Sequence, residues 1–129
     1  MIVKKILILI NIAFFLYFSV QLLVFTDEFA LQNIGFFNHA VAGLAEVIGI
    51  IFLSLSLALI LIFFIGMEKQ FPLFLTIFLI QFIIGINFWR YVITNSSGET
   101  NLETIVFNAI VFSIISIISF YILISNKKK

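Results

Sequence analysis

Glu46 and Arg90 are charged residues standing inside stretches of this chain that are otherwise almost wholly apolar. A carboxyl in such surroundings can carry a proton or balance a cation, and a guanidinium can clamp a carboxylate or a phosphate through two parallel hydrogen bonds. Charge at that depth is expensive, so its bearer tends to face a bundle interior or a water-filled cavity. Gln21, Asn38, His39, Asn87 and Asn108 are the polar side chains nearest to them in setting. On a helix, His39, Gly43 and Glu46 share one face, and Asn87 lies one turn before Arg90.

The elements that must position these residues follow from composition. The chain has 129 residues, 64% of them apolar and 10% charged, with a mean hydropathy of +1.31. Seven basic and six acidic side chains cannot cover the outside of a soluble protein of this length, so lipid must take up the rest. Four apolar runs, at about 6–25, 40–65, 72–93 and 104–124, each reach the ~20 residues needed to cross ~30 Å of hydrocarbon as a helix. Isoleucine, valine and phenylalanine favour strands in water. In lipid, however, an open strand leaves its backbone unpaired, and these runs lack the alternation of a barrel. The expected fold is an all-α bundle of four transmembrane helices forming one integral membrane domain over 1–129.

Three linkers read as turns: Thr26 to Phe37, Gly66 to Pro72 and Thr94 to Glu103. Thr100 and Glu103 have the spacing of a capping box, and Pro72 suits the first turn of the third helix. Lys4, Lys5, Lys69, Lys127, Lys128 and Lys129 fall on one side, leaving Arg90 towards the other with Asp27, Glu28, Glu99 and Glu103. The positive-inside rule therefore puts both termini and the Glu68–Lys69 turn in the cytoplasm, N-in and C-in. The first run is long and no small-residue cleavage site follows it, so it is expected to stay as a span rather than be removed as a signal peptide. The lysine tail serves as a topology anchor and could also dock on anionic lipid.

In this topology Glu46 lies ~10 Å below the outer end of its helix and Arg90 ~6 Å below the end of its own, close enough for a long side chain to make the pair. Gln21, His39, Asn87 and Asn108 sit at similar heights, so a polar pocket is expected in the outer half, beneath the acidic linkers. Three readings stand: a salt bridge and hydrogen-bond network that fixes helix register, a pocket for a small molecule or lipid headgroup, and a path for protons or ions. Ala42, Gly49 and Ser56 on the second helix, and Ser113, Ser116 and Ser119 on the fourth, form small-residue faces for close packing. Asn11 and Gln81 read as interhelical ties, Trp89 and Tyr91 as an aromatic belt, and the eighteen phenylalanines as core filling and lipid-facing surface.

The segment Ala42-Gly43-Leu44-Ala45-Glu46-Val47-Ile48-Gly49-Ile50 resembles the second-helix signature of the DoxX-like small four-helix membrane proteins: a small or Gly pair, then Glu, then Gly. The four-span plan agrees with that family along the whole length. The resemblance implies that Glu46 is the family glutamate, that Gly43 and Gly49 are packing glycines, and that the chain is an accessory or assembly protein of a bacterial cytoplasmic membrane. The first function class is accordingly an accessory or assembly protein with a lipid- or quinone-sized pocket, its expected partners being membrane lipid and either a membrane protein or a second copy.

The chain has no cysteine and a single histidine, which excludes disulfides, thiol redox chemistry and a multi-histidine metal site within one chain. No nucleophile with its base can be assembled, so an enzyme has little support. The basic residues lie in short terminal clusters, which gives nucleic-acid binding none. Two other function classes remain. One is a proton-coupled transporter acting as a dimer, similar in size and span number to small multidrug-resistance proteins, although those carry their essential glutamate in the first helix and this chain has none there. The other is a holin-like pore former.

Overall fold

A computed structural model describes residues 1–95 and 100–127; Ser96 to Glu99 of the third linker and Lys128 and Lys129 of the basic tail lie outside the described residues. Five helices follow one another: α1 (Ile2–Leu23), α2 (Thr26–Asn33), α3 (His39–Ile65), α4 (Phe71–Thr94) and α5 (Leu102–Lys127). α1, α3, α4 and α5 are long and apolar enough to cross a membrane. A helix satisfies its backbone hydrogen bonds within itself, which is the requirement lipid imposes. The fold is the expected all-α bundle of four spans, and the chain is an integral multi-pass membrane protein.

The spans contain the expected apolar runs and extend beyond them. α1 takes in Lys4 and Lys5, and α5 runs on to Lys127. Lysine is a good helix former and its stem can lie along apolar surface while the ammonium reaches the interface. Lys4 Nζ donates to the Ser125 carbonyl at 2.9 Å, and Lys5 Nζ sits 5.3 Å from the Phe63 ring centroid. Asn126 Nδ2 donates to the Met67 carbonyl at 3.1 Å, so both described ends of the chain meet the α3–α4 turn at one end of the bundle. In that turn Gly66 takes φ 123°, where a side chain would be strained.

Two local expectations need correction. The first linker is not only turn, because Thr26–Asn33 forms α2. The fourth span is not capped by Thr100 and Glu103. Asn101 Oδ1 accepts instead from the amides of Glu103 at 3.1 Å and Thr104 at 3.4 Å, while the Thr100 hydroxyl donates to Asn95 Oδ1 at 2.6 Å. Asn is as good an N-cap as Thr, and its position immediately before Leu102 wins. Pro72 does lie in the first turn of α4, and Asn38 caps α3 by accepting from the Val41 amide at 2.9 Å.

The bundle is built from two closely packed pairs, α1 on α3 and α4 on α5, with α1 and α5 joining them. Gly49 and Ser56 are buried on α3. A Cβ at Gly49 would come within 2.8 Å of Leu23 Cγ, so the glycine sets the α1–α3 approach. A Cβ at Gly43 would meet nothing within 4 Å, so no close approach within the chain requires a glycine there. Phenylalanines fill the centre: Phe15 of α1 meets Phe52 of α3 edge-on at 5.3 Å, and Phe112 of α5 lies 4.9 Å from Phe14 and 5.3 Å from Phe88 of α4.

One polar knot crosses this apolar core. Gln81 Nε2 donates to Asn11 Oδ1 at 2.8 Å. Ser119 Oγ lies 2.5 Å from Gln81 Oε1 and 2.9 Å from Asn11 Oδ1, and its single proton goes to one of them at a time. Asn11 Nδ2 closes the knot on its own helix, donating to the Leu7 carbonyl at 3.1 Å. All three residues are buried. Asn11 and Gln81 are thus the interhelical ties their positions imply, and Ser119, expected only as a small packing residue, is the third member.

Replacing Gln81 by Leu strips Asn11 and Ser119 of a partner and is expected to destabilise the bundle by ~1–2 kcal/mol. Asn11→Leu should cost a similar amount, and the double variant less than the sum of the two, because each single leaves the other amide stranded. Equilibrium unfolding in mixed micelles measures all three. Additive losses would show that the two amides act independently.

Candidate functional site: an outer polar cavity

At the end of the bundle away from the terminal lysines, α1, α2 and the start of α5 line an open cavity of about 280 Å³. α1 contributes Tyr17, Phe18 and Gln21, α2 contributes Phe29, Gln32 and Asn33, and α5 contributes Glu103, Thr104, Phe107 and Asn108. Each trio or quartet is a single helical face at three- to four-residue spacing.

The short α2 buries one stripe. Thr26 and Ala30 are buried and Phe29 and Asn33 half-buried beside them, while Asp27 and Glu28 are exposed in the first turn, where the helix dipole favours negative charge. Three contacts seat it. The Thr26 hydroxyl donates to the Leu22 carbonyl of α1 at 2.6 Å. Asn108 Nδ2 donates to Asn33 Oδ1 at 2.6 Å, tying α5 to α2. Phe29 meets Phe18 edge-on at 6.5 Å. Asn33 Nδ2 in turn donates to the Phe29 carbonyl at 3.0 Å, so both ends of this amide are used.

The cavity offers neutral hydrogen-bonding groups from Gln21, Gln32, Thr104 and Tyr17 above aromatic surface from Phe18, Phe29 and Phe107. Among the described residues Glu103 is the sole carboxylate on its wall, and no lysine or arginine lines it. Such a lining suits hydroxyl, carbonyl or ammonium groups on the head of an amphipathic molecule. It gives an isolated phosphate no counter-charge.

Of the residues expected to form the outer polar cluster, the structure brings Gln21 and Asn108 together here. His39 and Glu46 are exposed on α3, and Asn87 and Arg90 are exposed on α4. Glu46 and Arg90 do not meet within the chain, because α3 packs on α1 and α4 packs on α5. Gln32 and Asn33 were outside the expected cluster because their segment read as a turn. The signal that reveals them is the apolar and small stripe at Thr26, Phe29 and Ala30.

A second concavity of about 480 Å³ runs along α4 and α5 and is lined mainly by Phe78, Phe82, Gly85, Ile86, Ile117 and Phe120. Across it the Trp89 indole N–H donates to Ser113 Oγ at 2.8 Å, which gives this belt residue a fixed partner. The groove is apolar enough to take an acyl or isoprenoid chain.

Comparison of the chain with protein-family models, with curated proteins and with solved structures yields no match in any of the three.

Asn108→Leu should loosen α2 without disturbing the mid-membrane core. Loss of one hydrogen bond worth ~1 kcal/mol predicts about fivefold faster amide exchange over Thr26–Asn33. Hydrogen-exchange mass spectrometry in nanodiscs reads this directly; unchanged exchange there would mean that Asn108 does not hold α2 in place.

Proposed function

We propose that this chain is an accessory membrane protein that holds one amphipathic molecule, a lipid or a quinone, with its polar head in the cavity between α1, α2 and α5. The observation that carries the reading is the lining of that cavity: amides, a hydroxyl and one carboxylate set over an aromatic floor at the end of a membrane bundle. A head held there by neutral hydrogen bonds would leave its chain to run along the lipid-facing surface of the bundle. The positive-inside rule orients the protein with the lysine-rich end in the cytoplasm, so the cavity opens on the opposite side. The likeness of Ala42–Ile50 to the DoxX-like second helix agrees with an accessory role in a bacterial cytoplasmic membrane.

Native mass spectrometry of the protein extracted with its lipids tests this. Wild type should retain one lipid- or quinone-sized adduct. Gln21→Leu, which removes a half-buried polar wall without breaking a structural hydrogen bond, should lower its occupancy by about tenfold, as expected for one or two lost hydrogen bonds. Adduct-free wild type would remove this reading.

A second reading is favoured by the separation of Glu46 from Arg90: a membrane carboxylate with no cation beside it is the arrangement a proton-coupled transporter uses. In proteoliposomes such a protein would dissipate an imposed proton gradient in the presence of its substrate, and Glu46→Gln would abolish the flux. A wild-type chain that carries no protons with any of a panel of cationic amphiphiles would eliminate the transporter.

A further inference from the structure

Glu46 and Arg90 pose a problem that the single chain does not solve. Each is exposed, on α3 and on α4 respectively. The two stand at the same height in the membrane. Glu46 is nineteen positions back from Ile65 and Arg90 nineteen positions forward from Phe71, the residues where α3 and α4 meet their shared turn. At ~1.5 Å per residue both lie ~28 Å above that turn. Opposite charges at one height, on two helices that pack on different neighbours, form half of a pair on each of two outward faces.

We propose that the protein associates with a second copy of itself through these faces, Glu46 of each copy pairing with Arg90 of the other. Rotation about an axis normal to the membrane preserves height, so the match between Glu46 and Arg90 within one copy becomes a match between copies. In a two-fold dimer the contact is made twice, because residue i meeting j requires j to meet i. The surfaces around the charges fit this use. A Cβ at Gly43, a turn from Glu46, would meet nothing within 4 Å, leaving room for a long guanidinium side chain or a neighbouring helix. Ile50 on α3, and Ile83 and Ile86 on α4, extend the same exposed side with apolar surface. Pairing would remove two charges from contact with lipid at once, and neither partner need come from another protein. The proposal does not depend on what the outer cavity binds.

A charge-reversal mixing experiment tests it. In liposomes holding full-length copies labelled with donor and acceptor fluorophores, wild type should show energy transfer that falls on dilution with lipid. Glu46→Arg alone places four positive groups at the contact of two copies, and Arg90→Glu alone places four negative ones. Each should weaken self-association by about tenfold or more. Mixing E46R with R90E restores both opposite-charge pairs and should recover wild-type transfer between the two variants, while each remains unable to pair with itself. The absence of cysteine supplies a second readout that needs no charge reversal. Copies bearing Glu46→Cys and copies bearing Arg90→Cys should form a disulfide across the contact when mixed and oxidised, faster than either variant does with itself. A wild type that stays monomeric at high protein-to-lipid ratio, single reversals that associate as wild type does, or cysteine pairs that cross-link no faster than the like pairs would each overturn the proposal.

Discussion

In hydrocarbon, an amide that finds no partner has no water to fall back on, and that constraint organises this bundle around Asn11, Gln81 and Ser119. Apolar packing does not choose one arrangement as strongly here as it does in water. A phenylalanine or isoleucine turned from a neighbouring helix to lipid meets surroundings nearly as apolar as those it left. The knot is different, because a one-residue slip of α4 would turn Gln81 by ~100° and aim its carboxamide into lipid. Asn11 lies nine positions along α1 from Ile2 and Gln81 ten along α4 from Phe71, so both stand ~14 Å above the lysine-rich end, near mid-membrane. The knot fixes the mutual height of α1, α4 and α5, and α3 follows α1 through the Gly49 contact.

With register fixed at the centre, the two ends of the bundle are free to differ. At the lysine-rich end Lys4 bonds Ser125 and Asn126 bonds Met67, contacts that tie α5 to α1 and to the α3–α4 turn. The opposite end has a short helix laid over it. α2 is seated by packing against α3, one hydrogen bond to α1, one to α5 and an aromatic contact, which is little compared with the packing of a full span. An element held by few contacts opens more readily than the core, and such elements are where ligands enter.

The sequence made the spans legible because lipid simplifies the problem: length, apolarity and the cost of an open backbone leave a helix as the answer for 6–25, 40–65, 72–93 and 104–124 alike. Gly49 and Ser56 could be read as packing positions, and Asn11 and Gln81 as ties, because a small or an amide side chain inside an apolar run has few other reasons to be there. The outer site was only partly legible. Gln21 and Asn108 announce themselves by interrupting apolar runs, but Gln32 and Asn33 sit in a polar linker where one more amide carries no information. Their role depends on α2 being a helix, and eight residues hold too few turns for periodicity to stand out against turn-forming neighbours. Helix adjacency was not legible at all. Nothing in the run of residues says that α3 seats on α1 and α4 on α5, and the expected pairing of Glu46 with Arg90 inside one chain depended on that unknown.

The two exposed charges are not equivalent in what they demand. Arg90 lies four positions from Thr94 at the end of α4, and its long stem can carry the guanidinium to the headgroup layer, where lipid phosphates and water can satisfy it. Glu46 lies seven positions from His39 at the start of α3, with a short side chain that cannot cover ~10 Å. Its carboxylate is therefore the charge with fewest ways to be satisfied by the bilayer alone. Lipid tails offer it nothing, and like-charged phosphates at the interface offer it less than they offer Arg90. A carboxylate in that position needs a cation that something other than lipid brings to it. On the exposed face of α3 a Cβ at Gly43 would meet nothing within 4 Å, which leaves room beside the acid for such a cation.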